Sequence, residues 1–80
     1  MTALEKQQHE QLREIGRELG EARSEGRLDF DQFKALLKRA IAEVGADHPD
    51  LEMFCGYATG PGWFEWMVQE LRKAASKRVA

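Results

Sequence analysis

Residues 54–66 read FCGYATGPGWFEW and hold five of the seven aromatic side chains in this 80-residue chain. The same stretch contains the only cysteine, one of the two prolines and three of the seven glycines. Aromatic side chains bury the largest apolar area per residue, so a small core has to gather around them. We therefore take this aromatic stretch as the hub of the fold.

A helix is predicted to leave the hub on its C-terminal side. Thr59 or Gly60 is suited to cap it, and Pro61 suits its first position. Its apolar side chains fall on one arc when they are spaced at helical periodicity. These residues are Trp63, Phe64, Met67, Val68, Leu71, Ala74 and Ala75. Trp66 falls outside that arc, so we expect it to anchor a partner, to cover the edge of the hub or to pack on Tyr57.

A short helical piece is predicted on the N-terminal side of the hub. It begins at Pro49, which suits a first helical turn, and runs to Phe54 before Gly56 ends it. Cys55 follows Phe54 in the most apolar part of the chain, so we expect a thiol held in the core.

The strongest helical periodicity lies further toward the N-terminus. This helix is expected to start at Asp29 or Asp31, which are both capping residues, and to stop at Gly45. The apolar stripe consists of Phe30, Phe33, Leu36, Leu37, Ala40, Ile41 and Val44. A short turn with a glycine at position 26 precedes it, which predicts an αα-hairpin with the first helix.

The first helix is predicted over residues 2–24. Leu12, Ile15 and Leu19 form a stripe that resembles a coiled-coil seam and is too narrow to satisfy itself in a monomer. The turns before this stripe are nearly devoid of apolar residues, so we expect residues 1–10 to fray or to be ordered only by a partner.

Gly16 and Gly20 lie beside this stripe, although each costs a helix about 1 kcal/mol relative to alanine. One interpretation is the close approach of another helix, within the chain or across a dimer. The other is a locally weak helix in which the glycines do nothing.

The fold class predicted from these patterns is all-α: a small bundle of three main helices and one short helix. Residues 1–80 form a single domain, with residues 76–80 as a flexible basic tail. A domain this small is marginally stable, and a single cysteine makes no internal disulfide. We therefore expect a homodimer to complete the bundle.

Charge and hydropathy restrict the partners and the cellular location that we expect for this chain. The net charge of −2 provides no strong field for nucleic acid or an anionic membrane, and no apolar run is long enough to span a bilayer. The first residues contain no apolar signal segment, and one free cysteine fits a reducing compartment. We expect a cytoplasmic protein with no membrane partner.

Catalytic and metal chemistry have few candidates. His9, His48 and Cys55 lack the close pairing that zinc sites use, so we expect no metal and no cofactor. A Cys55–His48 dyad would place the thiol at the C-terminal end of a helix, where the dipole disfavours a thiolate. We therefore expect no enzyme.

The leading hypothesis is a small protein–protein interaction module: an adaptor, inhibitor or assembly factor. Its predicted partner-binding residues are Trp66, Trp63, Tyr57, Leu12, Ile15, Gly16, Leu19 and Gly20. The alternative is a small nucleic-acid-binding transcriptional regulator that contacts phosphates through basic side chains. Those residues are Lys34, Lys38, Arg39, Arg72, Lys73, Lys77 and Arg78.

Overall fold

A computed structural model describes the backbone of residues 2–79 and the side chains of residues 2–76. Within that part of the chain there are four helices and no strand. They are α1 (Ala3–Ser24), α2 (Phe30–Val44), a 3₁₀ helix (Pro49–Tyr57) and α3 (Trp63–Val79). The predicted all-α bundle is confirmed.

Polar side chains cap the N-terminal ends of α1 and α2. Thr2 Oγ1 accepts a hydrogen bond from the backbone N–H of Glu5 at 3.1 Å, and Asp29 Oδ1 accepts one from that of Gln32 at 2.7 Å. Each satisfies a backbone donor that the first helical turn leaves without a partner. The starts of α1 and α2 are thus fixed by local chemistry.

The turn between α1 and α2 closes in a Schellman motif. Gly26 has a φ of 70°, and the N–H of Arg27 donates to the carbonyl of Ala22 at 2.9 Å. The exposed Arg27 guanidinium donates to Glu25, and this hydrogen bond is the main cause of a raised Arg27 pKa. The αα-hairpin is confirmed. An ion pair between Arg39 of α2 and Glu18 of α1 joins the two helices further along.

The segment between α2 and α3, which contains the 3₁₀ helix, reverses the direction of the chain twice. The 3₁₀ helix runs back along the bundle, so α3 starts beside the beginning of α2 and runs in the same direction. The rings of Phe30 and Trp63 stack with centroids 5.5 Å apart at the first end. Ile41 and Ala74 line a common groove further along.

The core lies between α1, α2 and the 3₁₀ helix. The buried residues are Leu12, Ile15, Leu19, Ala22, Phe33, Leu36, Leu37, Ala40, Leu51, Phe54 and Met67. Among the described side chains of α3, only Met67 is buried, while Trp63, Trp66 and Leu71 pack against the core from half-buried positions. Much of the apolar surface of α3 therefore lies outside the core.

The described backbone is helical close to both ends of the chain. The first turns of α1 are helical, with Leu4 64% exposed, so whether they fray stays a prediction. The backbone of α3 remains helical through Val79, which includes most of the predicted tail. None of the helices described is long and apolar enough to cross a bilayer.

Candidate interaction surface

The aromatic hub includes both tryptophans. The Trp63 ring lies 5.1 Å from that of Phe33, and Trp66 meets Phe30 edge-on at 5.9 Å between centroids. Phe33 also contacts Phe54 edge-on at 5.8 Å. Such offset and edge-on pairs add about 0.5–1.5 kcal/mol each beyond the area that they bury. Trp66 thus lies at the edge of the hub, which was one of the positions expected for it.

The stripe on α1 is closed within the chain. Leu12 is 3% exposed, and Ile15 and Leu19 are fully buried in the cluster that α2 and the 3₁₀ helix complete. The expectation that this seam is too narrow for a monomer is wrong, because two elements rather than one cover it. In this conformation these three side chains present almost no surface to a partner.

Gly16 of α1 allows the 3₁₀ helix to approach closely. A Cβ atom at Gly16 would lie 3.3 Å from Met53 Sδ, and one at Gly20 would lie 3.5 Å from the hydroxyl oxygen of Tyr57. The close-packing interpretation therefore holds for Gly16, within the chain, whereas Gly20 leaves room for a methyl group.

Tyr57 is held against α1 by Arg23. The guanidinium lies 5.6 Å from the ring centroid, and its Nη1 donates to the carbonyl of Gly56 at 3.1 Å. A cation over an aromatic face is stabilised by the ring quadrupole. Tyr57 is half-buried and already engaged on one face.

The orientation of α3 differs from the one predicted. Phe64, expected in the core, is 49% exposed, whereas Trp66, expected outside the apolar arc, packs on the core. The helix is turned so that Trp63, Met67 and Leu71 face the core. Phe64 then forms the start of an exposed apolar flank.

This flank borders a groove between α3 and the 3₁₀ helix, with a volume of about 380 Å³. Its floor and α3 side are formed by Leu51, Phe64, Met67, Val68 and Leu71. The other side and the rim are formed by Ala46, Asp47, His48, Pro49, Glu52 and Cys55. We call this surface the α3 groove. It combines an apolar floor with a polar rim, as protein-binding sites do.

Cys55 is exposed at the rim of this groove, which corrects the expectation of a core thiol. In a 3₁₀ helix, residues three apart share one face, so Leu51, Phe54 and Tyr57 turn toward the core together. Cys55 falls between these positions and is left outside.

A second groove, of about 370 Å³, lies on the other side of the 3₁₀ helix against α1. It is lined by Leu12, Gly16, Pro49 and Met53 and by the polar side chains of His9, Arg13, Asp50 and Glu52. Leu12 is nearly buried, so the apolar area on offer is small. No large apolar side chain projects from it as Phe64 does beside the α3 groove.

Three of the basic residues of the alternative hypothesis are paired with carboxylates, and Lys38 and Lys73 line one groove between α2 and α3. Arg39 pairs with Glu18 of α1 at 2.8 Å, while Lys38 faces the groove between α2 and α3. Lys34 pairs with Asp31 at 3.5 Å, and Lys73 with Glu70 at 3.7 Å. Arg72 is exposed, and the side chains of Lys77 and Arg78 lie outside the described part of the chain.

Side chains that could bind a metal do not cluster in the described part of the chain. No group of three or more His, Cys, Asp or Glu side chains that could hold a metal occurs there, and none of the polar side chains described there is buried. His48 Nδ1 accepts a hydrogen bond from the N–H of Asp50 at 3.1 Å and so caps the 3₁₀ helix. That role accounts for His48 in structural terms.

Phe64 and Val68 line this surface, although the sequence analysis placed both on the apolar arc that faces the core. A signal for them existed, since Phe64, Val68, Leu71 and Ala75 repeat at 4-3-4 spacing along α3. Comparison with protein-family models, with curated proteins and with solved structures finds no match for this chain. The surface itself is therefore the basis for a functional assignment.

Proposed function

We propose that this chain is a small, non-enzymatic helical module that binds a protein through the α3 groove. The observation that carries the proposal is the half-exposed Phe64 at the edge of an apolar groove. A large aromatic side chain beside a groove is the usual form of an interface anchor, because its burial on binding contributes much of the affinity. The module would act as an adaptor, inhibitor or assembly factor.

The lining of the groove favours binding over chemistry. Sites for small substrates place a few polar groups inside an apolar cavity, where they orient the reacting molecule. Here the polar side chains of Asp47, His48 and Glu52 lie at the rim, and the floor is apolar. An apolar floor with a polar rim suits an amphipathic helix laid into a groove.

We place this module in the cytoplasm. Cys55 is a free and exposed thiol, and such a thiol is best kept reduced in that compartment.

Site-specific photo-crosslinking in cells tests the proposal. We would replace Phe64 with p-benzoylphenylalanine, which keeps a large aromatic group at the edge of the groove. The matched control carries the same group at Gln69, which is exposed on another side of the same helix. The proposal expects a light-dependent adduct to a protein chain from position 64, and far less from position 69. Equal or absent adducts at the two positions, in folded proteins, would overturn it.

A further inference from the structure

We infer that the occupant of the α3 groove and of the exposed apolar flank beside it is a second copy of this chain, docked so that the two α3 helices run antiparallel. This inference rests on the proposed function, since it names the partner that the α3 groove binds. It is carried by three features of α3: the spacing of its exposed apolar residues, their order of size, and the position of two unpaired charges.

The spacing is that of a two-helix seam. Phe64, Val68, Leu71 and Ala75 recur at intervals of four, three and four residues, which is the pattern of alternating core positions in a coiled coil. Phe64 and Ala75 are exposed, and Val68 and Leu71 are half-buried. The stripe extends for about 17 Å along the helix, at about 1.5 Å per residue.

The order of size favours an antiparallel partner. In that orientation Phe64 faces Ala75 of the second copy, and Val68 faces Leu71. Large side chains then meet small ones in the outer layers, and the layers keep a similar volume, as close packing requires. A parallel pair would set Phe64 against Phe64 at one end and Ala75 against Ala75 at the other.

The charges agree with the same orientation. Glu65 and Arg72 flank the stripe on its outer side, seven residues apart. Both are exposed, and neither side chain has an ion pair or hydrogen bond with any residue in the described part of the chain. Antiparallel docking brings Glu65 beside Arg72 of the second copy, and the two-fold axis repeats that pair. In a parallel pair, Glu65 and Arg72 would instead lie on opposite sides of the seam from the same residues of the second copy, beside the uncharged Met67 and Ala74.

A second copy explains these features together, because an interface around a two-fold axis must be complementary to itself. A different protein would need an apolar surface to cover Phe64, but it would not need Glu65 and Arg72 to match each other across the stripe. The contact is short compared with a standard interface of about 800 Å² per partner, so we expect a dimer that dissociates on dilution.

Charge exchange with sedimentation velocity over a dilution series tests the inference. Glu65→Arg and Arg72→Glu would each place like charges side by side twice, and each is expected to weaken the dimer by about tenfold. The double variant Glu65→Arg/Arg72→Glu restores opposite charges and is expected to restore the dimer. Glu43→Arg, an equal charge change on the exposed surface of α2, is the matched control and should leave the dimer unchanged.

Crosslinking in the purified protein reports the orientation directly. With p-benzoylphenylalanine at position 64, an antiparallel dimer gives an adduct near Ala75 of the second copy. An adduct to the region around residue 64 would overturn the antiparallel orientation. A dimer that neither single charge variant weakens would overturn the assignment to α3.

The two proposals fail in different ways. A chain that stays monomeric at every concentration, yet forms adducts from position 64 to a different protein in cells, overturns the self-docking inference and leaves the interaction module standing. A monomer that forms no adduct in cells removes both. A dimer with charge rescue supports both.

Discussion

Gly20 and Gly26 show how the backbone decides the effect of the same substitution. Gly20 lies inside α1, where a Cβ would meet the Tyr57 hydroxyl at 3.5 Å, an ordinary contact distance. Gly26 has a φ of 70°, which an L-residue with a Cβ adopts only at a cost.

We therefore predict opposite signs for the two alanine variants. Gly20→Ala should raise the free energy of unfolding by up to about 1 kcal/mol, because alanine favours the helix and fits the space. Gly26→Ala should lower it by about 1 kcal/mol. Urea unfolding followed by circular dichroism measures both. A loss of stability in Gly20→Ala would mean that Tyr57 cannot accommodate even one methyl group.

Trp66 and Phe64 form a second matched pair, on the same helix. Trp66→Ala removes a ring packed on Phe30 and Phe33, so it should lower the free energy of unfolding by about 2 kcal/mol or more. Phe64→Ala removes a half-exposed ring and should cost less than about 1 kcal/mol. Thermal unfolding at a concentration where the chain is monomeric compares them. The reverse order would mean that α3 is turned as the sequence arc suggested.

At the scale of elements, the sequence predicts where helices begin and end better than which way they face. Capping and termination are local: Asp29, Gly26 and Gly45 act on backbone groups within a few residues. The rotation of α3 about its own axis is not determined by neighbouring residues in sequence, because its apolar residues span a wide arc. The positions of Phe30 and Phe33 on α2, far away in sequence, decide that Trp66 rather than Phe64 is covered.

The same distinction explains why the α3 groove was not predicted. One of its walls belongs to a 3₁₀ helix, in which residues three apart share a face. Cys55 was assigned to the core because it follows Phe54 in an apolar stretch, but it lies off the face that Phe54 shares and is exposed at the rim. The spacing of Gly16 and Gly20, in contrast, indicated close packing as one of two interpretations, and the structure was needed to show that it applies to Gly16 and which residue it contacts.

Caps on different helices should contribute unequally to the stability of the fold. Asp29→Ala removes the 2.7 Å cap of α2, which supplies four core residues, and should cost about 1 kcal/mol of unfolding free energy. Thr2→Ala removes a comparable cap from α1, but the residues around it are exposed and contact little. We expect Thr2→Ala to leave global unfolding unchanged and to reduce helicity slightly by circular dichroism. Equal losses of stability would show that the first turns of α1 belong to the cooperative core.

At the scale of the whole molecule, the bundle is closed on one side and open on the other. α1, α2 and the 3₁₀ helix share nearly all the buried side chains, whereas α3 contributes Met67 and several half-buried residues. A chain of this size has little stability to spare, so covering the rest of α3 would contribute noticeably to it. Binding through α3 would therefore couple association to folding stability, and the melting temperature should rise with protein concentration if the partner is a second copy.

The net charge, together with the pairing of basic side chains in the described part of the chain, predicts little affinity for nucleic acid. The net charge is −2, Lys34, Arg39 and Lys73 are paired with carboxylates, and Lys38 and Arg39 face different neighbours. Phosphate contacts need several basic side chains along one surface, and their contribution falls steeply with salt. In fluorescence anisotropy with a labelled random duplex, we expect at most weak binding at low salt and none at physiological salt. A matched variant, Glu18→Gln with Glu70→Gln, should strengthen the low-salt signal by releasing Arg39 and Lys73. Tight binding of the unaltered chain with a steep salt dependence would instead favour a nucleic-acid regulator over an interaction module.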